Sequence, residues 1–132
     1  MRWMLDTNIC IYIINARPPS VIERFSSFVV GEVGISVITL AELEYGAAKS
    51  VQPRRNREAL KQFVLPLEVA AFDAAATTAY GSTRMAIERR GTPIGAMDLL
   101  IAAHAVSLGV TLVTNNTREF ARVPGLRVEN WV

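Results

Sequence analysis

Arg2-Trp3-Met4-Leu5-Asp6-Thr7-Asn8 decides the fold of this chain. A short apolar run reads as a buried strand. It ends on a carboxylate, and a helical pattern starts at once with Thr7. A strand passing straight into a helix is the opening of an α/β unit. Open α/β sheets take their ligands at the carboxyl ends of the strands, where Asp6 falls.

Outward from this stretch the alternation continues. Strands are expected at residues 2–5, 33–37, 67–72, 110–113 and 127–129. Helices are expected at 7–15, 19–28, 40–49, 53–64, 74–90, 95–108 and 118–121. Leu40, Leu43 and Ala47 share one helical face. Asp73 reads as an N-cap, Gly91-Thr92-Pro93 as a break and Gly109 as a helix stop. The pattern predicts one domain over residues 1–132, a three-layer α/β sandwich with a mostly parallel central sheet flanked by helices on both faces.

Half of the 132 residues are apolar, enough for a sizeable core. No apolar run approaches the roughly 18 residues of a membrane span, and the start does not resemble a secretion signal. Cys10 is the only cysteine, which excludes an intrachain disulfide and fits a reducing cytoplasm. Its place between Ile9 and Ile11 suits a small core residue. With His104 as the only histidine, a thiolate or imidazole zinc site is excluded, and any metal must be held by oxygen. Of the 14 basic residues only Lys49 and Lys61 are lysine. The other twelve are arginine, whose planar fork suits phosphate and carboxylate.

There are three aspartates, Asp6, Asp73 and Asp98. Capping accounts for Asp73. Asp6 and Asp98 lie among apolar residues, although Asp6 could also cap a helix and Asp98 could serve a helix dipole. Glu42, at the start of the helix after the second strand, is a third acid, whereas Glu44 points elsewhere into solvent. Glu119 is a candidate fourth acid, and Asn116 a neutral ligand or a group that orients a water, with turn chemistry the alternative for Asn115-Asn116. Acids converging on one sheet edge repel one another unless a divalent cation lies between them. Oxygen ligands of this kind select Mg²⁺, with Mn²⁺ a substitute. His104 lies six residues beyond Asp98, about 240° round the helix, and is expected to pack rather than react.

Four pieces occur in order: Leu5-Asp6-Thr7-Asn8, Ser36-Val37-Ile38-Thr39-Leu40-Ala41-Glu42, Asp98-Leu99-Leu100-Ile101-Ala102 and Leu112-Val113-Thr114-Asn115-Asn116. Together with Gly91-Thr92-Pro93-Ile94-Gly95 they resemble the PIN-domain ribonucleases, and more narrowly the VapC toxins of bacterial toxin–antitoxin pairs. The resemblance implies that Asp6, Glu42 and Asp98 are metal-binding acids and that Thr7, Ser36 and Thr114 are hydroxyls near the site. Asn116 stands where many relatives carry aspartate. The Asn-Asn variant with a following Glu is similar to an enterobacterial branch that cuts initiator tRNA in the anticodon region. The resemblance further implies a homodimer, a VapB-type antitoxin covering the site, and a heterotetramer or larger assembly. Arg54, Arg55, Arg57, Arg84, Arg89 and Arg90 are candidates for RNA-backbone contact.

Two other classes compete with a Mg²⁺-dependent endoribonuclease. Phosphatases with an aspartyl nucleophile need a second aspartate two positions after the first, where this chain has Asn8. A non-catalytic binding module would use the acids to hold a structural ion or a partner's arginine.

Overall fold

A computed structural model describes all of residues 1–132. The elements run β1 (Trp3–Leu5), α1 (Thr7–Ile14), α2 (Pro19–Ser26), β2 (Val33–Ser36), α3 (Val37–Ala48), α4 (Pro53–Val64), β3 (Glu68–Ala70), α5 (Ala74–Arg90), α6 (Ala96–Leu108), β4 (Thr111–Val113), α7 (Thr117–Phe120) and β5 (Arg127–Glu129). The five strands form one sheet in the order β3-β2-β1-β4-β5, and every neighbouring pair is parallel. The expected sandwich is therefore present, with a fully parallel sheet rather than a mostly parallel one.

Strand alternation explains the layers. Met4 and Leu112 enter one core with Ile87, Leu99, Ile101, Ala102, Ala105 and Phe120, beneath α5, α6 and α7. Leu5, Val33, Ile35 and Val113 point the other way, against Ile9 and Cys10 of α1, Val21 of α2, Leu43 of α3 and Leu60 of α4. Cys10 is buried, and burial followed by the Asp6 charge pushes its thiol well above the ordinary range, so it is an inert packing residue.

Several boundaries move. The second strand stops at Ser36 and its helix begins at Val37, three residues before the expected 40. Val37-Ile38-Thr39 is β-branched throughout and reads as strand. The Ser36 hydroxyl overrides this by accepting from the Ile38 amide at 3.0 Å, which caps α3 early. Glu42 thus lies more than a turn inside α3, not at its start. The strand expected at 67–72 shortens to Glu68–Ala70, and the helix expected at 19–28 ends at Ser26, where the Ser27 hydroxyl closes on the Arg24 carbonyl at 2.6 Å. Asp73 caps α5 through the Ala76 amide at 3.0 Å, and Gly109 ends α6 at φ 66°.

Gly34 fixes how closely β2 approaches β3. A Cβ there would stand 2.5 Å from the Glu68 carbonyl oxygen and 2.6 Å from the Met1 methyl. Backbone cannot yield as a side chain can, so Gly34→Ala is expected to destabilise the fold by about 1–3 kcal/mol, measured by urea denaturation.

Candidate active site

The sheet winds outward from β1 in both directions: β2 and β3 lie to one side, β4 and β5 to the other. The switch between the two halves falls between β1 and β4, and crevices open at such points beyond the carboxyl ends of the strands. Leu5 pairs with Val113, and the Asp6 amide donates to the Val113 carbonyl at 2.9 Å. One step further, the register sets Asp6 alongside Thr114. Both residues are buried, Asp6 at 4% exposure.

Asp6 fills the capping role and stands at the acid edge as well. Its Oδ1 accepts from the Ile9 amide at 2.9 Å and caps α1. Its charge is also felt at Asp98 and Cys10. Burial, the largest influence, raises its pKa, and the Glu42 charge adds to the rise. Hydrogen bonds from the Thr114 hydroxyl and the Ile9 and Asn8 amides pull the other way.

Glu42 is held across 35 residues of chain by the Thr7 hydroxyl, which donates to its Oε1 at 2.5 Å. Asp98 sits in the first turn of α6, where the helix dipole favours a carboxylate. Its carboxylate folds back toward Gly95, close enough for a Cβ there to meet Oδ2 at 3.5 Å. Glu119, on α7, accepts from the Gly95 amide at 3.0 Å and from the Asn116 side-chain amide. Gly95 therefore lies between the third and fourth acids.

Electrostatics tie the four together. Asp98 is raised to about 6, first by burial and then by the charges of Glu119, Glu42 and Asp6. Acids from three other segments thus bear on Asp98 at one sheet edge. No group of three or more His, Cys, Asp or Glu side chains is drawn tightly enough together to hold a metal ion directly. The donor chemistry, carboxylate oxygen throughout, nonetheless fits a hard divalent cation.

The raised Asp98 has a thermodynamic consequence. The folded protein binds this proton more tightly than the unfolded chain, whose aspartate titrates near 3.8. Asp98 therefore favours folding at low pH, and that contribution is lost as pH rises from about 4 to 6. Asp98 is half-buried, and solvent screening trims the full shift to about 1–2 kcal/mol. Chelator-treated protein is expected to lose that much stability over this window in pH-dependent urea melts. Asp98→Asn should flatten the curve.

The hydroxyls divide. Thr7 and Thr114 stand at the acids. Ser36 lies on the sheet face covered by α6, caps α3 and meets His104 Nδ1 at 2.7 Å. His104 is buried, turns an edge to Phe72 and has a pKa lowered by burial, as its angular distance from Asp98 predicts. Asn115 donates to the Tyr12 hydroxyl at 2.8 Å, and the Thr114 hydroxyl accepts from the Asn116 amide at 3.0 Å. The turn is closed by that hydroxyl, and neither asparagine is left-handed. Arg54, Arg55 and Arg57 are exposed on α4, and Arg84, Arg89 and Arg90 on α5. Arg84 is engaged by Glu88 and Tyr80, and Arg90 by the Arg122 carbonyl.

A parallel α/β sandwich with acids gathered at its switch point offers oxygen donors alone, the set that suits a protein working on its substrate through a hard divalent cation. The PIN domain profile matches residues 3–126. A tRNA(fMet)-specific endonuclease VapC of Shigella flexneri is 50% identical over 131 residues, covering 99% of this chain and 98% of the relative. Its Salmonella typhimurium counterpart is 46% identical over 131 residues, with the same coverage. The solved VapBC2 of Rickettsia felis, bound to a DNA fragment from its promoter, superposes with TM-score 0.94 at 44% identity and covers both chains fully. DNA-bound VapBC of Salmonella typhimurium gives 0.95 at 45% identity, covering 100% of this chain and 99% of the other. The chain belongs to the PIN-domain family, among its VapC ribonucleases. Nucleases of this family generally depend on a divalent metal.

Proposed function

We propose that this protein is a toxin that hydrolyses RNA phosphodiester bonds with Mg²⁺, using Asp6, Glu42, Asp98 and Glu119 as its catalytic acids, and that initiator tRNA, cut in the anticodon region, is its substrate. Cutting that tRNA inhibits translation until a VapB-type antitoxin covers the site. The observation that carries the reading is the gathering of Asp6, Glu42, Asp98 and Glu119, each from a different segment, beyond the carboxyl ends of β1 and β4. The substrate follows the names of the Shigella and Salmonella relatives, and the antitoxin follows the VapBC complexes. The toxin acts as a homodimer, in a heterotetramer or larger assembly with antitoxin.

Asp6, Asp98 and Glu42, with Asn116 as the neutral donor, would hold the cation. When bound, a hard divalent cation lowers the pKa of a water and neutralises charge on a phosphodiester oxygen. The protein supplies position. Thr7 fixes Glu42, the α1 cap fixes Asp6, and the Gly95 amide fixes Glu119. Carboxylates held this way need little rearrangement when the phosphate arrives. Thr7, Ser36 and Thr114 are supporting hydroxyls, Ser36 acting through the α3 cap that sets the run of Glu42's helix. The six arginines of α4 and α5 are candidates for the RNA backbone, the cytoplasm is the place of action, and no helix is long and apolar enough to cross a membrane.

Purified protein incubated with total tRNA is expected to release two fragments of the initiator species with Mg²⁺ and none with EDTA. Mn²⁺ should restore cleavage. Fragments that form equally in EDTA would overturn the metal mechanism, and ends mapped outside the anticodon region would overturn the substrate.

A further inference from the structure

Acids gathered on one edge repel the polyanion they are to cut, so cations must meet the RNA close by. A polar cleft of about 400 Å³ opens beside the acid edge and shares Gly95, Asn116 and Glu119 with it. Its other polar walls are Arg118 and Arg122. These two arginines lie four residues apart, bracket Glu119 in sequence and are distinct from the six arginines of α4 and α5.

Their state of pairing is informative. Glu119 lines the same cleft, yet neither arginine forms a salt bridge with it or with any other carboxylate. Glu119 instead spends both oxygens on the Gly95 amide and the Asn116 side chain. Arg122 is steadied from behind: one guanidinium nitrogen donates to the Pro93 carbonyl at 3.2 Å, and Arg90 donates to its own carbonyl at 3.2 Å. Arg118 is exposed and makes no hydrogen bond through its side chain. Two guanidinium groups therefore line a polar cleft without an ion pair to any protein carboxylate, Glu119 included. Arginine's planar donors match the oxygens of a phosphodiester.

We propose that Arg118 and Arg122 form a phosphate subsite that holds the RNA backbone beside the scissile bond, on the Glu119 side of the acid edge. The inference rests on the ribonuclease reading for its ligand. Arg118 and Arg122 bind the strand, and the acids cut it.

The test measures binding of a single-stranded RNA oligonucleotide to Asp98→Asn protein, in which cleavage is expected to be blocked, with EDTA present, across a salt series. Adding Arg118→Ala or Arg122→Ala is expected to weaken binding several-fold each, and the pair together about tenfold or more. Each should also lower the slope of log K against log salt by about 0.7, the value for one phosphate contact on a single strand. Arg118→Lys should restore the slope. In protein with intact acids, Arg118→Ala should raise KM for the RNA and leave kcat within about twofold. A structural role for Arg122 would move neither the salt slope nor the Arg118 result. Unchanged affinity and slope in the Arg118→Ala protein would overturn the subsite and leave the ribonuclease reading standing. Absence of RNA cleavage by the unaltered protein would strike the ribonuclease reading, and the binding series would still decide the subsite.

Discussion

Asp98→Asn is expected to lower the rate of RNA cleavage on the order of 10³-fold or more, with the fold retained. Of the four acids, Asp98 is the one on which the charges of the other three converge. Its amide analogue keeps the size and one acceptor oxygen but removes the charge that a divalent cation would answer. Single-turnover cleavage of initiator tRNA at saturating enzyme reads the chemical step without confusion from binding. Cleavage within tenfold of the unaltered protein would remove Asp98 from the machinery. Asp6→Asn makes a useful companion, because asparagine caps a helix about as well as aspartate. The α1 cap through Ile9 should survive while the charge is lost, so the two roles of Asp6 come apart in one variant.

Phe120→Ala is expected to destabilise the protein by about 3–5 kcal/mol, a large part of the 5–15 kcal/mol typical of a whole domain. Phe120 is 1% exposed and is the largest fully buried side chain. It anchors the four-residue helix α7 in the core shared with Leu99, Ala102 and Leu112. A helix that short has no stability of its own. Removing the ring should therefore loosen Glu119 as well as the core. Urea denaturation checks the stability, and loss of cleavage at temperatures where the protein is still folded checks the coupling.

The fold was legible in the sequence because its signals are local. Gly109 stops a helix, Asp73 starts one, and a strand-to-helix passage at Asp6 needs no distant partner to be recognised. The early start of α3 was hidden because Val37-Ile38-Thr39 carries strand propensity, and the cap that defeats it is a single hydroxyl. Asp6 and Asp98 stood out as acids in apolar company, and Glu42 by its place just after the second strand. What holds them did not, since Thr7 meets Glu42 across 35 residues and Ser36 meets His104 across 68. Arg118 and Arg122 could have been noticed from their four-residue spacing around Glu119. Their lack of an ion pair can be read only from the structure.

The central place of β1 has a consequence for the order in which the acid edge is assembled. β1 precedes the other four strands in sequence yet needs partners on both sides, and its second partner, β4, begins only at Thr111. Until then Asp6 lacks the Val113 carbonyl that receives its amide, and Glu119 has not been made. Contacts this distant in sequence form late. The acid edge is thus a late product of folding: it is complete only when β4 has closed on β1 and α7 has brought Glu119 beside Gly95.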